Sequence, residues 1–190
     1  KKNHVRLLQA FAKYRQAAGD DAWPLVLLGD GMLRDEIEAQ REELELGGSL
    51  VLPGFAGYSD LPRWYRHAAC FIHPSTTEQW GLVVNEAMAS GLPVLVSERC
   101  GCAPDLIENG KNGFTFDPYD VDALVGLMER VAGTDCDRAA MGAASLEIID
   151  RWSPETFASG LEAAVQAGLR GGGREPGWLD WVLLRALSHR

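Results

Sequence analysis

The sequence predicts an α/β fold: a Rossmann-like parallel sheet with helices on both faces, built as a single domain. Three observations carry this. Short apolar runs of strand length alternate with stretches of helical periodicity. The clearest runs, such as Pro24–Leu28, are continuous rather than alternating, as in strands buried on both faces. Strands separated by helices imply βαβ units. The 190 residues suffice for one core, and they divide into residues 1–170 and a glycine-hinged C-terminal helix, residues 171–190.

Taken in order, Val5–Ala18 places Leu7, Leu8, Phe11 and Tyr14 at helical spacing. Pro24–Leu28 is an apolar strand closed by the turn Gly29-Asp30-Gly31, and a charged helix runs from there to about Glu45. Asp30 is expected to cap that helix. Leu50–Leu52 is a strand stopped by Pro53-Gly54, and Asp60 is a candidate cap for a helix over Leu61–Ala69. Cys70–His73 is a strand, Leu82–Ser90 a helix closed by Gly91 and Pro93, and Pro93–Ser97 a strand. Gly113–Phe116 is the last strand, followed by helices over Val121–Val131, Asp137–Asp150 and Pro154–Leu169. Beyond Gly171–Gly173, residues Trp178–Leu187 form an apolar segment, expected to need a partner surface. Trp23 and Trp152 read as packing residues.

The net charge of −9 argues against a nucleic-acid partner, which would need a basic face. No apolar run is long enough to span a bilayer, and Lys1-Lys2-Asn3-His4 leads into no signal-peptide core. Cys70, Cys100, Cys102 and Cys136 form neither a disulfide framework nor a CxxC metal pair, so no metal site is expected. Cys70 reads as a small core residue, and Cys100-Gly101-Cys102 as a loop with two reduced thiols. Together these place the chain in the reducing cytoplasm.

The chemistry concentrates in Pro74–Pro93. This segment leaves a strand and opens a helix, where open α/β sheets bind ligands. The amides of Gly81, Leu82 and Val83 are the unpaired donors of the helix's first turn, and with the helix dipole they suit a diphosphate. Gly81 lets a ligand approach the backbone. Glu78 lies in the loop and Glu86 one turn into the helix. A carboxylate there can accept two hydrogen bonds from a vicinal diol. His73 reads as a satisfied core or loop histidine, and His4 beside Lys2 is ambiguous.

Here the sequence resembles the family-four retaining glycosyltransferases, which have the two-domain GT-B fold. Glu78 and Glu86, with seven residues between them, match the family's glutamate pair. Gly81-Leu82 and Glu86-Ala87-Met88-Ala89 match the surrounding motif, and further landmarks agree in order. They include Lys2-Asn3, Gly29–Leu33, Gly54-Phe55, Pro74-Ser75, Pro104–Ile107 and Asn112–Phe114, within residues 1 to 165.

The resemblance implies that Glu78 contacts the transferred sugar and Glu86 holds the ribose. Gln79, Trp80, Gly81, Leu82 and Val83 would line the sugar and diphosphate. Lys2 would neutralise the diphosphate, as the other catalytic residue beside Glu78, and Gly54-Phe55 would seat the base. The donor would be a nucleotide-diphosphate sugar, with a UDP or GDP moiety, and no metal or other cofactor. Gln79-Trp80 stands where the family has Gly-Phe, which bears on the choice of sugar. The expected chain is the donor half of a longer hexosyl-transferring enzyme, lacking its first strand and its N-terminal acceptor-binding domain. Peripheral membrane contact at the cytoplasmic face is a further expectation for the full enzyme. The alternatives are a truncated product that binds donor without transferring it, and a non-catalytic nucleotide-sugar-binding module. A dehydrogenase is disfavoured, because no G-x-G-x-x-G follows a first strand.

Overall fold

The computed structural model describes residues 1–170 and Gly177. The chain forms two units, Lys1–Asp150 and Arg151–Arg190. The first contains, in order, α1 (His4–Ala18), β1 (Leu25–Leu28), α2 (Arg34–Glu43), β2 (Leu50–Gly54), α3 (Leu61–His67) and β3 (Phe71–His73). It continues with α4 (Leu82–Ala89), β4 (Val94–Ser97), α5 (Ala103–Leu106), β5 (Gly113–Phe116), α6 (Val121–Ala132) and α7 (Arg138–Asp150). In the second unit the described helix is α8 (Pro154–Arg170), with Phe157, Leu161, Val165 and Leu169 exposed along it.

Every strand pairing is parallel, as the apolar runs predict. The strands hydrogen-bond in two sets, β1-β2 and β3-β4-β5. The larger set is covered on both faces. Successive side chains of a strand point to opposite faces, and β4 shows where they go. Leu95 joins Leu8, Phe11, Phe114 and Met128 in one core, beneath α1 and α6. Val94 and Val96 join Val84, Met88, Leu106 and Ile148 in the other, beneath α4 and α7. The β1-β2 pair is less enclosed, with Val26 41% and Val51 38% exposed.

Most element boundaries fall within a residue or two of expectation. β2 runs on through Pro53 to Gly54 instead of stopping before them. It is an edge strand, where a proline's missing N–H leaves no ladder bond unmade. The caps differ too. Asp60 occupies the N-cap position of α3 without a side-chain cap bond. Asp30 accepts from the Gly31 amide at 2.8 Å, while Leu33 is the N-cap of α2. Side chains that do cap include Asp120, which accepts from the Ala123 amide at 2.9 Å and starts α6, Asp137, which accepts from the Ala140 amide before α7, and Ser153, which accepts from the Thr156 amide before α8. Trp23 packs on the core as expected, whereas Trp152 is 44% exposed. The segment Gly171–Gly173 and the tail Trp178–Leu187 lie outside the described residues.

Candidate functional site

β3 and β4 end side by side at His73 and Ser97, and the loops beyond them hold each other. The Glu78 amide donates to Arg99 O at 3.3 Å, and the Gly101 amide donates back to Glu78 O at 2.9 Å. The Cys102 amide and the Cys100 thiol both donate to Trp80 O, at 3.2 and 2.9 Å. The thiols are reduced and lie 3.5 Å apart. A Cβ on Gly101 would stand 1.8 Å from Gln79 O, so the approach of the two loops depends on that glycine. Gly81 is the N-cap of α4 at φ 100°, and a Cβ there would stand 2.8 Å from Cys100 Sγ. The amides of Gly81, Leu82 and Val83 carry no hydrogen bond among the described residues. The first turn of α4 therefore presents free donors at the positive end of its dipole.

Glu78 is the electrostatic centre of this loop. Lys2 Nζ donates to its Oε2 at 2.7 Å, Lys1 Nζ is 3.6 Å from Oε1, and His73 Nε2 is 3.8 Å from Oε2. The hydrogen bond from Lys2 holds the Glu78 carboxyl below the usual carboxylate range. The start of the chain is pinned beside it. The Thr76 amide donates to Lys1 O at 3.0 Å, and Asn3 Nδ2 donates to Pro74 O and Pro118 O at 3.0 and 2.8 Å. Lys2 and Glu78, matched to different parts of one ligand, thus form an ion pair.

Glu86 accepts from Tyr65 Oη at 3.0 Å, and burial together with the carboxylate pushes the tyrosine hydroxyl's pKa up. Trp80 Nε1 donates to Asn85 Oδ1 at 3.0 Å, which fastens the loop to α4. Gln79, Leu82 and Val83 are exposed. At the end of β2, Gly54 has φ 86° and accepts from the Gly29 amide at 2.9 Å, and Phe55 is 82% exposed.

His73 departs from expectation. His73 is buried, but its Nε2 has no hydrogen-bond partner among the described residues, so it is not a satisfied core histidine. Burial lowers its pKa first, and Lys2 adds to that. His4 Nδ1 is likewise buried and unpaired. Sequence reasoning missed Tyr65 as the partner of Glu86, Asn3 as the pin, and Cys100–Cys102 as the grip on the loop. The signal that was available for His73 is its place at the carboxyl end of a strand.

Parallel strands feeding a helix N-terminus flanked by two glutamates make a site for an anionic ligand that carries hydroxyl groups. The chain belongs to the family "Glycosyl transferases group 1", which matches residues 1–146. It is 34% identical over 131 residues to the sulfoquinovosyl transferase SQD2 of Arabidopsis thaliana, covering 67% of this chain and 25% of that protein. It is 29% identical over 164 residues to the GDP-mannose-dependent alpha-(1-6)-phosphatidylinositol monomannoside mannosyltransferase of Mycolicibacterium smegmatis, covering 82% of this chain and 42% of that one. The fold matches S. aureus TarM, solved with UDP, at TM-score 0.77 and 22% identity, over 83% of this chain and 31% of that chain. It matches Anabaena Alr3699/HepE in complex with UDP-glucose at TM-score 0.74 and 23% identity, over 87% of this chain and 45% of that chain. The chain thus spans less than half the length of each of these proteins.

Proposed function

We propose that this chain is the donor-binding half of a retaining glycosyltransferase that uses a nucleotide-diphosphate sugar without a bound metal. The observation that carries the proposal is the pairing of Lys2 with Glu78 beside the unbonded amides at the start of α4. The diphosphate sits on the Gly81–Val83 amides, with Lys2 as its counter-charge. As the sugar–phosphate bond breaks, negative charge grows on the leaving diphosphate. The helix dipole, already in place, and the Lys2 ammonium, turned from Glu78 to the diphosphate, then bind it more strongly than they bind the ground state. Glu86, oriented by Tyr65, accepts from the ribose hydroxyls. Glu78 accepts from hydroxyls of the transferred sugar. Phe55 offers a flat apolar face to the base. The acceptor enters from the remainder of a longer protein, and the UDP and GDP-mannose named for similar proteins make uridine and guanosine donors the first to test.

Calorimetric titration of the chain with UDP, GDP, UDP-glucose and GDP-mannose, each with and without EDTA, tests this. Saturable binding of at least one nucleotide, unchanged by EDTA, is expected. Binding that EDTA abolishes and a divalent ion restores contradicts the metal-free reading. No binding by any of the four contradicts the donor reading.

A further inference from the structure

We propose that His73 is a positioning residue for Glu78, taking over the carboxylate when a donor diphosphate draws Lys2 away. This rests on the donor reading above. Without ligand, Lys2 holds Glu78 at 2.7 Å, yet Lys2 is also the cation that faces a diphosphate. One ammonium on a flexible stem, 54% exposed, has to divide its donors between the carboxylate and the diphosphate. Two further groups then face the Glu78 carboxylate: Lys1 Nζ, 3.6 Å from Oε1 but 56% exposed and itself open to the diphosphate, and the buried His73 beside Oε2.

His73 is placed to take the carboxylate over. Its side chain is 6% exposed, and its Nε2 lies 3.8 Å from Glu78 Oε2 with no hydrogen-bond partner among the described residues. A shift of about 0.8 Å brings the pair to hydrogen-bond distance. The imidazole cannot drift to meet other groups. It stacks on Phe71 at 6.3 Å and 13°, and Phe71 packs edge-on against Tyr65 at 6.0 Å. Tyr65 in turn holds Glu86. A single aromatic row beneath the loop thus backs both glutamates. Gly81 borders the pair, since a Cβ there would be in ordinary contact, 3.5 Å, with both His73 Nε2 and Glu78 Cγ. A neutral imidazole protonated on Nε2 donates to the carboxylate without adding a second cation to compete for the diphosphate.

The test is a double-mutant cycle on binding by the chain. It uses the tightest binder among UDP-glucose, UDP-N-acetylglucosamine, UDP-galactose and GDP-mannose, together with its bare nucleoside diphosphate. His73→Phe is expected to weaken the sugar nucleotide about tenfold and leave the bare nucleotide unchanged. His73→Gln, which keeps an N–H near the same place, restores most of the loss. In a Glu78→Ala background His73→Phe has no further effect. Equal weakening of both ligands, or full additivity with Glu78→Ala, overturns the proposal while leaving the donor reading intact. No binding by the parent overturns both. Should His73→Phe fail to fold, imidazole ¹⁵N spectra of the unsubstituted chain decide. The His73 Nε2 resonance must keep its proton and move on saturation with the sugar nucleotide, and an unmoved resonance overturns the role.

Discussion

Replacing Gly101 with alanine tests whether the grip of one loop on the other shapes the site. The new Cβ would lie 1.8 Å from Gln79 O and 2.8 Å from Gln79 C, whereas ordinary contact begins at 3.4 Å. The obstruction is backbone, so no side chain can rotate away. The Gln79 peptide has to retreat by about 1.6 Å to reach ordinary contact. That retreat breaks the Gly101 bond to Glu78 O and the Cys102 bond to Trp80 O. Two hydrogen bonds at about 1 kcal/mol each, with overpacking strain of about 1–3 kcal/mol, give a loss of about 3–5 kcal/mol. For a domain of this size, Tm should fall by roughly 6–20 °C. Displacing Glu78 and Trp80 should also weaken sugar-nucleotide binding at least about tenfold. Thermal unfolding by circular dichroism and calorimetric titration provide the readouts. Gly48→Ala is the control, since a Cβ there meets nothing within 4 Å. A Gly101→Ala variant that matches the control in both Tm and affinity refutes the reasoning.

Glu86→Ala should weaken bare nucleotide and sugar nucleotide alike by about 1–2 kcal/mol, because the ribose is common to both. Tyr65→Phe should give a smaller loss of the same kind, since it removes only the hydroxyl that orients Glu86; equal affinities for variant and parent remove the ribose role. Stability should decline in acid in two ranges. The folded-state pKa of His73 is lowered from 6.5 by burial, so the unfolded chain takes up its proton first and stability falls as pH drops below about 6.5. Glu78 is lowered from 4.5 by Lys2, so its contribution is present above that value and is lost as pH falls through the folded one. Denaturant titrations against pH should show a shallower first decline in His73→Gln, with His4, shifted the same way, keeping part of it.

The alternation of apolar runs and helical periodicity was enough to find the five strands among the described residues, because most of their side chains pack into two apolar cores. Gly81 was legible because a helix start leaves a local trace, whereas Glu78 and Glu86 stood out only through the family motif around them. What was not legible depends on residues far apart in sequence. Lys2 reaches Glu78 across 76 positions, and Asn3 reaches Pro118 across 115. Cys100 and Cys102 looked like a bland loop, since nothing local shows that Trp80 O accepts from both. Pairing in two sets rather than one is a matter of strand geometry, on which the apolar pattern is silent.

The central claim is that the first turn of α4 is the diphosphate site, and backbone amide spectra test it most directly. The chain, ¹⁵N-labelled, is titrated with UDP and with GDP. The account predicts that the Gly81, Leu82 and Val83 amides move first and furthest with the nucleotide that binds, because they carry no hydrogen bond before it arrives. Saturable shifts that leave these three unmoved and cluster elsewhere, such as Gly110–Gly113, would contradict it.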